Sequence, residues 1–255
     1  GQPWRRLIYH CAMSSPRFFV EVPLAGQALL SLPAGAARHV QVLRLQPGSA
    51  ITLFDGSGAD WQAEITAMGR SEVSVRLLSQ QSSLGRELGQ DVTLAVVMPA
   101  NDRMDGIVEK ATELGAAAIQ PLMSERSVLR LNGERAEKKV NHWQGVAIAA
   151  CEQSGRSRVP RIAPVLGLNA WLQSLGTQAV EQRRWLLSPT AAQPLTAQAA
   201  AAQTLVLSGP EGGLSTAEED AARAQGFLAM NLGPRILRAD TAPLALLGWL
   251  ALSSV

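Results

Sequence analysis

The run Ser208-Gly209-Pro210-Glu211-Gly212-Gly213-Leu214-Ser215 holds the residues best suited to gripping a ligand with main chain. Glycine has no Cβ, so a bound molecule can approach the amides closely. Ser215 followed three residues later by Glu218 reads as a capping box, which places the loop just before a helix. A second loop, Leu232-Gly233-Pro234-Arg235-Ile236-Leu237-Arg238, follows about twenty residues on. Together the two loops predict one ligand held between two strand ends. Other chemistries lack their parts. Met98-Pro99-Ala100-Asn101 stands after the first strand of the α/β region where a dinucleotide fingerprint would fall. No phosphate loop ending in Gly-Lys-Ser/Thr and no Gly-x-Ser-x-Gly elbow occurs.

The elements that must carry these loops follow from pattern. Residues 205–207 are an apolar strand running into the first loop, and 228–231 lead into the second. Upstream, 92–98 and 117–122 read as strands, 102–114 as a helix stopped by Gly115, and 134–153 as a long amphipathic helix. Residues 185–187 form another strand, and 240–253 a closing helix. Apolar strands alternating with helices predict an α/β domain with a mainly parallel sheet covered on both faces. Residues 18–22, 50–54, 61–66 and 72–78 are short strands with Asp55-Gly56-Ser57-Gly58 as a turn, which predicts a small barrel or sandwich. Residues 80–90 read as a linker, so the expected division is an extension over 1–12, a β domain over 13–82 and an α/β domain over 83–255.

Composition narrows the partners. At 47% apolar and 17% charged, with a net charge of +2, the chain has the make-up of a globular protein and is no polycation. Between 126 and 161, however, Arg126, Arg130, Arg135, Lys138, Lys139, Arg156, Arg158 and Arg161 face only Glu134, Glu137 and Glu152. That local excess suits a phosphate-rich partner. Two cysteines and three histidines give no disulfide framework and no metal-ligand spacing, so no metal is expected. The apolar run 242–252 is too short to span a bilayer, no signal peptide is read, and a cytoplasmic setting is expected.

The two late loops also carry a resemblance. With Ser15-Pro16-Arg17-Phe18-Phe19, His39-Val40-Gln41-Val42-Leu43-Arg44, Phe54-Asp55-Gly56-Ser57, Glu109-Lys110-Ala111-Thr112-Glu113-Leu114-Gly115, Ser124-Glu125-Arg126-Ser127 and Ala149-Ala150-Cys151-Glu152-Gln153-Ser154-Gly155-Arg156, they resemble, in order, the RsmE family. That family methylates N3 of a uridine in bacterial 16S ribosomal RNA. The resemblance implies a PUA-like RNA-binding β-barrel followed by a SPOUT methyltransferase domain with a trefoil knot. It also implies S-adenosylmethionine as cofactor, the small ribosomal subunit as substrate and a homodimer.

Under that resemblance the cofactor falls to Leu187, Leu207, Gly209, Pro210, Glu211, Gly212, Gly213, Leu232, Gly233, Ile236, Leu237, Arg238 and Thr241. The leucines and Ile236 would be apolar walls, and Gly209, Gly212 and Gly233 the points of close approach. Uracil N3 must lose a proton, so an acceptor and a cation are needed. Glu152 with Arg156 one turn later, and Arg238 as clamp, are the expected catalytic set. RNA contacts are expected from Arg17, Arg38, His39 and Arg44, and from Arg126, Arg156 and Arg158. Where the family usually has Arg-Thr-Glu-Thr-Ala, this chain has Arg238-Ala239-Asp240-Thr241-Ala242, and Asp240 is expected to keep a helix-capping role. Two other readings fit the residues: a SPOUT enzyme acting on a ribose 2′-hydroxyl, and a non-catalytic RNA-binding or ribosome-assembly protein.

Overall fold

The computed structural model describes residues 15–100, 102–196 and 201–253, so the extension expected over 1–12 lies outside the described residues. The chain divides into two compact units, with the boundary between Ser82 and Ser83.

The first unit contains β1 (Arg17–Phe19), β2 (Leu29–Ser31), α1 (Ala34–Val42), β3 (Ala50–Phe54), β4 (Ala59–Met68) and β5 (Val73–Ser82). Its sheet runs β1-β3-β4-β5-β2, with β1 parallel to β3 and the other pairs antiparallel. Register shifts at Gln62/Ala63 and Ile65/Ala67 interrupt the long β4–β5 pair, and such bulges bend a strand and sharpen its twist. Inward residues alternate along the strands: Ile51 and Leu53, Ala63 and Ile65, Val73 and Val75 are all buried around Phe18, Leu24 and Val40. The expected strand 18–22 is shorter, and 34–42, which carried no helix expectation, is α1. Two small residues and one valine, Ala36, Ala37 and Val40, form its buried face, too thin a stripe to stand out as a helical period.

A single 3-10 turn, Leu84–Arg86, opens the second unit. There follow β6 (Asp91–Val97), α2 (Arg103–Glu113), β7 (Ala118–Met123), α3 (Gly133–Ser154), β8 (Arg161–Ile162), β9 (Leu166–Gly167) and α4 (Leu168–Ser174). After these come β10 (Gln182–Leu187), β11 (Gln203–Ser208), α5 (Thr216–Ala224), β12 (Leu228–Met230) and α6 (Thr241–Ser253). The sheet order is β12-β10-β11-β6-β7-β8, with β9 also against β7, and every pairing is parallel.

Both sheet faces are covered, as the apolar strands require. Val92, Leu94 and Val96 of β6 point to a core shared with Ile107 of α2, Trp143 of α3 and Leu246 and Leu247 of α6. The alternate residues Ala95 and Val97, with Leu186 and Leu207, point to a second core under α4 and α5 with Trp171 and Phe227.

All six principal strands run the same way, so every loop leaving a strand emerges on one edge of the sheet. The chain leaves β6 toward β7 on one side, while β11 lies on the other side of β6. Ligands bind outside the carboxyl ends of strands at such a divergence.

Candidate active site

Leu187, Ser208 and Met230 are the last residues of β10, β11 and β12, and together they floor a cavity of about 410 Å³. That volume is in the range of small-molecule and cofactor pockets. Its apolar wall comes from Leu187, Leu214, Met230, Leu232, Ile236, Leu237 and Ala242, and its polar groups from Arg103, Ser188, Glu211, Glu219, Arg235 and Arg238.

The loops are fastened to each other by polar contacts. Glu211 Oε1 accepts from the Ala100 amide at 2.9 Å, tying the loop after β11 to the loop after β6. Arg126 Nη1 donates to the Gly212 carbonyl at 3.0 Å, bringing in the loop after β7. The capping box forms as expected: the Glu218 amide donates to Ser215 Oγ, and the Ser215 amide to Glu218 Oε1. The second oxygen of buried Glu218 accepts from the Glu125 amide at 3.1 Å, so one carboxylate holds both a helix start and a neighbouring loop. On the β10 side, Ser188 Oγ donates to Glu219 Oε1 at 3.3 Å and lies 3.1 Å from Thr190 Oγ1. Asn231 Oδ1 accepts from the Gly233 amide at 3.0 Å, and Gly233 sits at φ +100°, a conformation that excludes most side chains. Gly209 is confined differently: a Cβ there would lie 3.1 Å from Leu214 Cγ.

Most of the cofactor residues expected from sequence line this cavity: Leu187, Gly209, Pro210, Glu211, Gly213, Leu232, Gly233, Ile236, Leu237 and Arg238. Three stand off it. Leu207 points to the α4/α5 core, because side chains alternate along a strand and its neighbour Ser208 takes the other face. Gly212 faces Arg126 instead, and Thr241 lies on the exposed start of α6.

Glu152 and Arg156 belong to the other edge of the sheet. A helix that crosses from one parallel strand to the next returns the chain to the amino ends of the strands. Both residues lie at that returning end of α3. Arg156 donates to the carbonyls of Thr112 (2.8 Å) and Ala116 (3.0 Å), just before β7 begins. It also forks onto Glu87, just before β6, with the closest contact 2.6 Å. Arg158 pairs with Asp91, the first residue of β6, at 3.6 Å. Strands rise about 3.3 Å per residue, so six-residue strands separate this end from the cavity by roughly 20 Å. Within one chain, Arg156 is a buried structural arginine and Glu152 sits beside it, away from the pocket.

Arg126 keeps its place beside the cavity through Gly212. In the first unit Arg38 and His39 are exposed on α1, and Arg44 is exposed in a left-handed conformation at φ 55°. Arg17 differs from expectation: it is nearly buried, bonded to Asp60 at 2.8 Å and stacked over Phe54 at 4.7 Å. Sequence reasoning missed Arg103, Ser188 and Glu219. All three adjoin a strand's carboxyl end or the helix that follows it, a position that could have been read once the sheet was taken as parallel.

A mixed β unit is followed by an all-parallel α/β unit with a pocket at its carboxyl edge, the class of fold that binds ligands there. A family model described as an RNA methyltransferase domain matches residues 86–251, and one described as an RNA methyltransferase PUA domain matches residues 32–78. Ribosomal RNA small subunit methyltransferase E of Bacillus subtilis is 32% identical over 238 residues, covering 89% of this chain and 93% of that protein. The protein of the same name from Synechocystis is 34% identical over 222 residues, covering 85% of this chain and 71% of that one. The crystal structure of ribosomal RNA small subunit methyltransferase E from Neisseria gonorrhoeae bound to S-adenosyl methionine superposes with a TM-score of 0.86 at 35% identity, covering 94% of this chain and 98% of that one. The chain belongs to the RNA methyltransferase family, alongside the small subunit methyltransferase E proteins.

Proposed function

We propose that this chain transfers the methyl group of S-adenosylmethionine to N3 of a uridine in the 16S ribosomal RNA of the small ribosomal subunit. The observation that carries the reading is the cavity between the two glycine loops, in a chain similar along nearly its whole length to a relative solved with that cofactor. The pocket fits the group. Its volume suits a nucleoside with a short tail, Leu187, Leu232, Ile236 and Leu237 give a flat base an apolar bed, and Glu211, Glu219 and Arg235 offer partners to a zwitterionic tail. S-adenosylmethionine, when bound, supplies an electrophilic methyl group on a sulfonium. The protein's share is positioning: Gly209 and Gly233 keep the loops close, and Glu211, Glu218 and Arg126 hold them in register.

Arg238 and Arg126 serve RNA at the cavity mouth, and Arg38, His39 and Arg44 serve it from the β unit. The enzyme acts as a homodimer in the cytoplasm, and the trefoil knot implied by the family resemblance belongs to the same proposal. The test is methylation of small subunits from a strain lacking the modification, followed by nucleoside analysis. N3-methyluridine is expected. A ribose 2′-O-methyl product would move the chain to the other SPOUT reading, and absence of cofactor binding by calorimetry would make it a non-catalytic RNA binder.

A further inference from the structure

Within one chain Glu152 lies at the opposite edge of the sheet from the cavity, so that chain's own acceptor for the N3 proton comes from elsewhere. Arg103 opens α2 and lines the cavity, with Nη1 3.9 Å from Glu211 Oε1 and 3.9 Å from Asp240 Oδ1. These separations are too long for hydrogen bonds, and among the described residues no hydrogen bond engages the Arg103 guanidinium. Asp240 Oδ1 is likewise buried without a hydrogen-bond partner among the described residues, so the capping bond expected of it is not made through that oxygen. A buried carboxylate oxygen left unmet is unfavourable unless something completes it. Arg103 lines the cavity, and Asp240 stands directly behind that lining, between Ala239 and Ala242, with no hydrogen bond joining the two side chains.

That pairing matches the imide edge of uracil, which presents a carbonyl, an N3–H donor and a second carbonyl in a row. Asp240 faces the N–H and Arg103 an adjacent carbonyl. Cytosine presents a lone pair at N3 and an amino group beside it, so it sets acceptor against Asp240 and donor against Arg103. We infer that Arg103 and Asp240 read the imide edge of the target uracil and that Asp240 takes the N3 proton, an inference resting on the uridine-N3 reading above.

In the step, the N3–H bond breaks and its proton passes to Asp240. The electron pair left on N3 forms the N–CH3 bond as the S–CH3 bond breaks. That bonding pair stays on sulfur, which becomes a neutral thioether, and the proton leaves Asp240 to water. Arg103 offsets the charge that builds on the uracil oxygens.

Asp240→Asn keeps the shape and removes the base; Asp240→Glu keeps the carboxylate. Single-turnover rates on unmethylated small subunits are measured against pH, with cofactor affinity by calorimetry. Binding of methylated and unmethylated 16S RNA is compared without cofactor. Asp240→Asn should be about a hundredfold slower or worse at neutral pH, with cofactor affinity unchanged. Its residual rate should climb with pH more steeply than the wild type's, and its preference for unmethylated RNA should be lost. Asp240→Glu should recover most of the rate. A rate within threefold of wild type in Asp240→Asn, no recovery in Asp240→Glu, or a parallel loss of cofactor affinity each overturns the assignment. Failure of the uridine-N3 reading would show separately, as a product other than N3-methyluridine from the wild type.

Discussion

Arg156→Ala separates a structural arginine from a catalytic one. The Arg156 and Glu87 side chains are 4% and 7% exposed, and the guanidinium also serves the Thr112 and Ala116 carbonyls. Truncating it strands the buried Glu87 carboxylate and the Ala116 carbonyl, while the Thr112 carbonyl keeps the Gly115 amide. Breaking a buried pair from one side costs about 3–5 kcal/mol. For a unit of this size that corresponds to a fall in Tm of roughly 6–20 °C. Urea unfolding followed by fluorescence reads it directly, since Trp143, Trp171 and Trp185 are buried in the same unit. The midpoint should drop with the slope m unchanged. At a temperature where the variant is folded, its affinity for S-adenosylmethionine and its turnover should stay within about twofold of wild type, because the pair lies a strand's length from the cavity. A variant of normal stability that had lost turnover would refute the placement and restore Arg156 to the chemistry.

Three further outcomes follow from the same geometry. Gly209→Ala sets a Cβ 3.1 Å from Leu214 Cγ, against a residue that lines the cavity, whereas a Cβ at Gly212 meets Arg126 at an ordinary 3.6 Å. Calorimetry should therefore find cofactor affinity reduced at least about tenfold by the first substitution and little changed by the second, since small misplacements at a positioned site are costly; equal effects would contradict the wall assignment. Arg38→Ala and Arg44→Ala should each flatten the slope of log K for RNA against log salt by about 0.7–0.9, whereas Arg17→Ala should lower stability through Asp60 and leave that slope alone. Glu218→Gln should weaken the capping box and the tie to Glu125, lowering stability by about 1 kcal/mol in denaturant titrations; no change would show that the loops are held by other contacts.

Much of the catalytic unit was legible because its signals are local. The apolar runs 94–97 of β6 and 205–207 of β11 announce strands buried on both faces, and Ser215 with Glu218 announces the start of α5. The glycine loops were legible for the same reason, since Gly233 marks a backbone conformation few other residues take. What escaped was topological. The charged start of α3 and its small-residue end do not by themselves say which edge of the sheet Glu152 and Arg156 reach; the crossover between parallel strands does. Arg103 and Asp240 are more than a hundred residues apart, and only the fold brings them within 3.9 Å. Thin signals also hid α1, whose buried face is two alanines and a valine, and the short strands β2, β8 and β9. Arg17 reads as a surface cation in the sequence because its partner Asp60 arrives from a different strand.

On the proposed function, the pocket at the ends of β10, β11 and β12 holds the methyl donor. A crystal structure of this chain soaked with S-adenosylmethionine tests it most directly. The ligand is expected between the two glycine loops, its base against Leu187, Leu232 and Ile236 and its tail toward Glu219 and Arg235. Ligand density at the amino edge of the strands near Arg156, or an empty pocket in crystals of protein shown by calorimetry to be saturated, would contradict it.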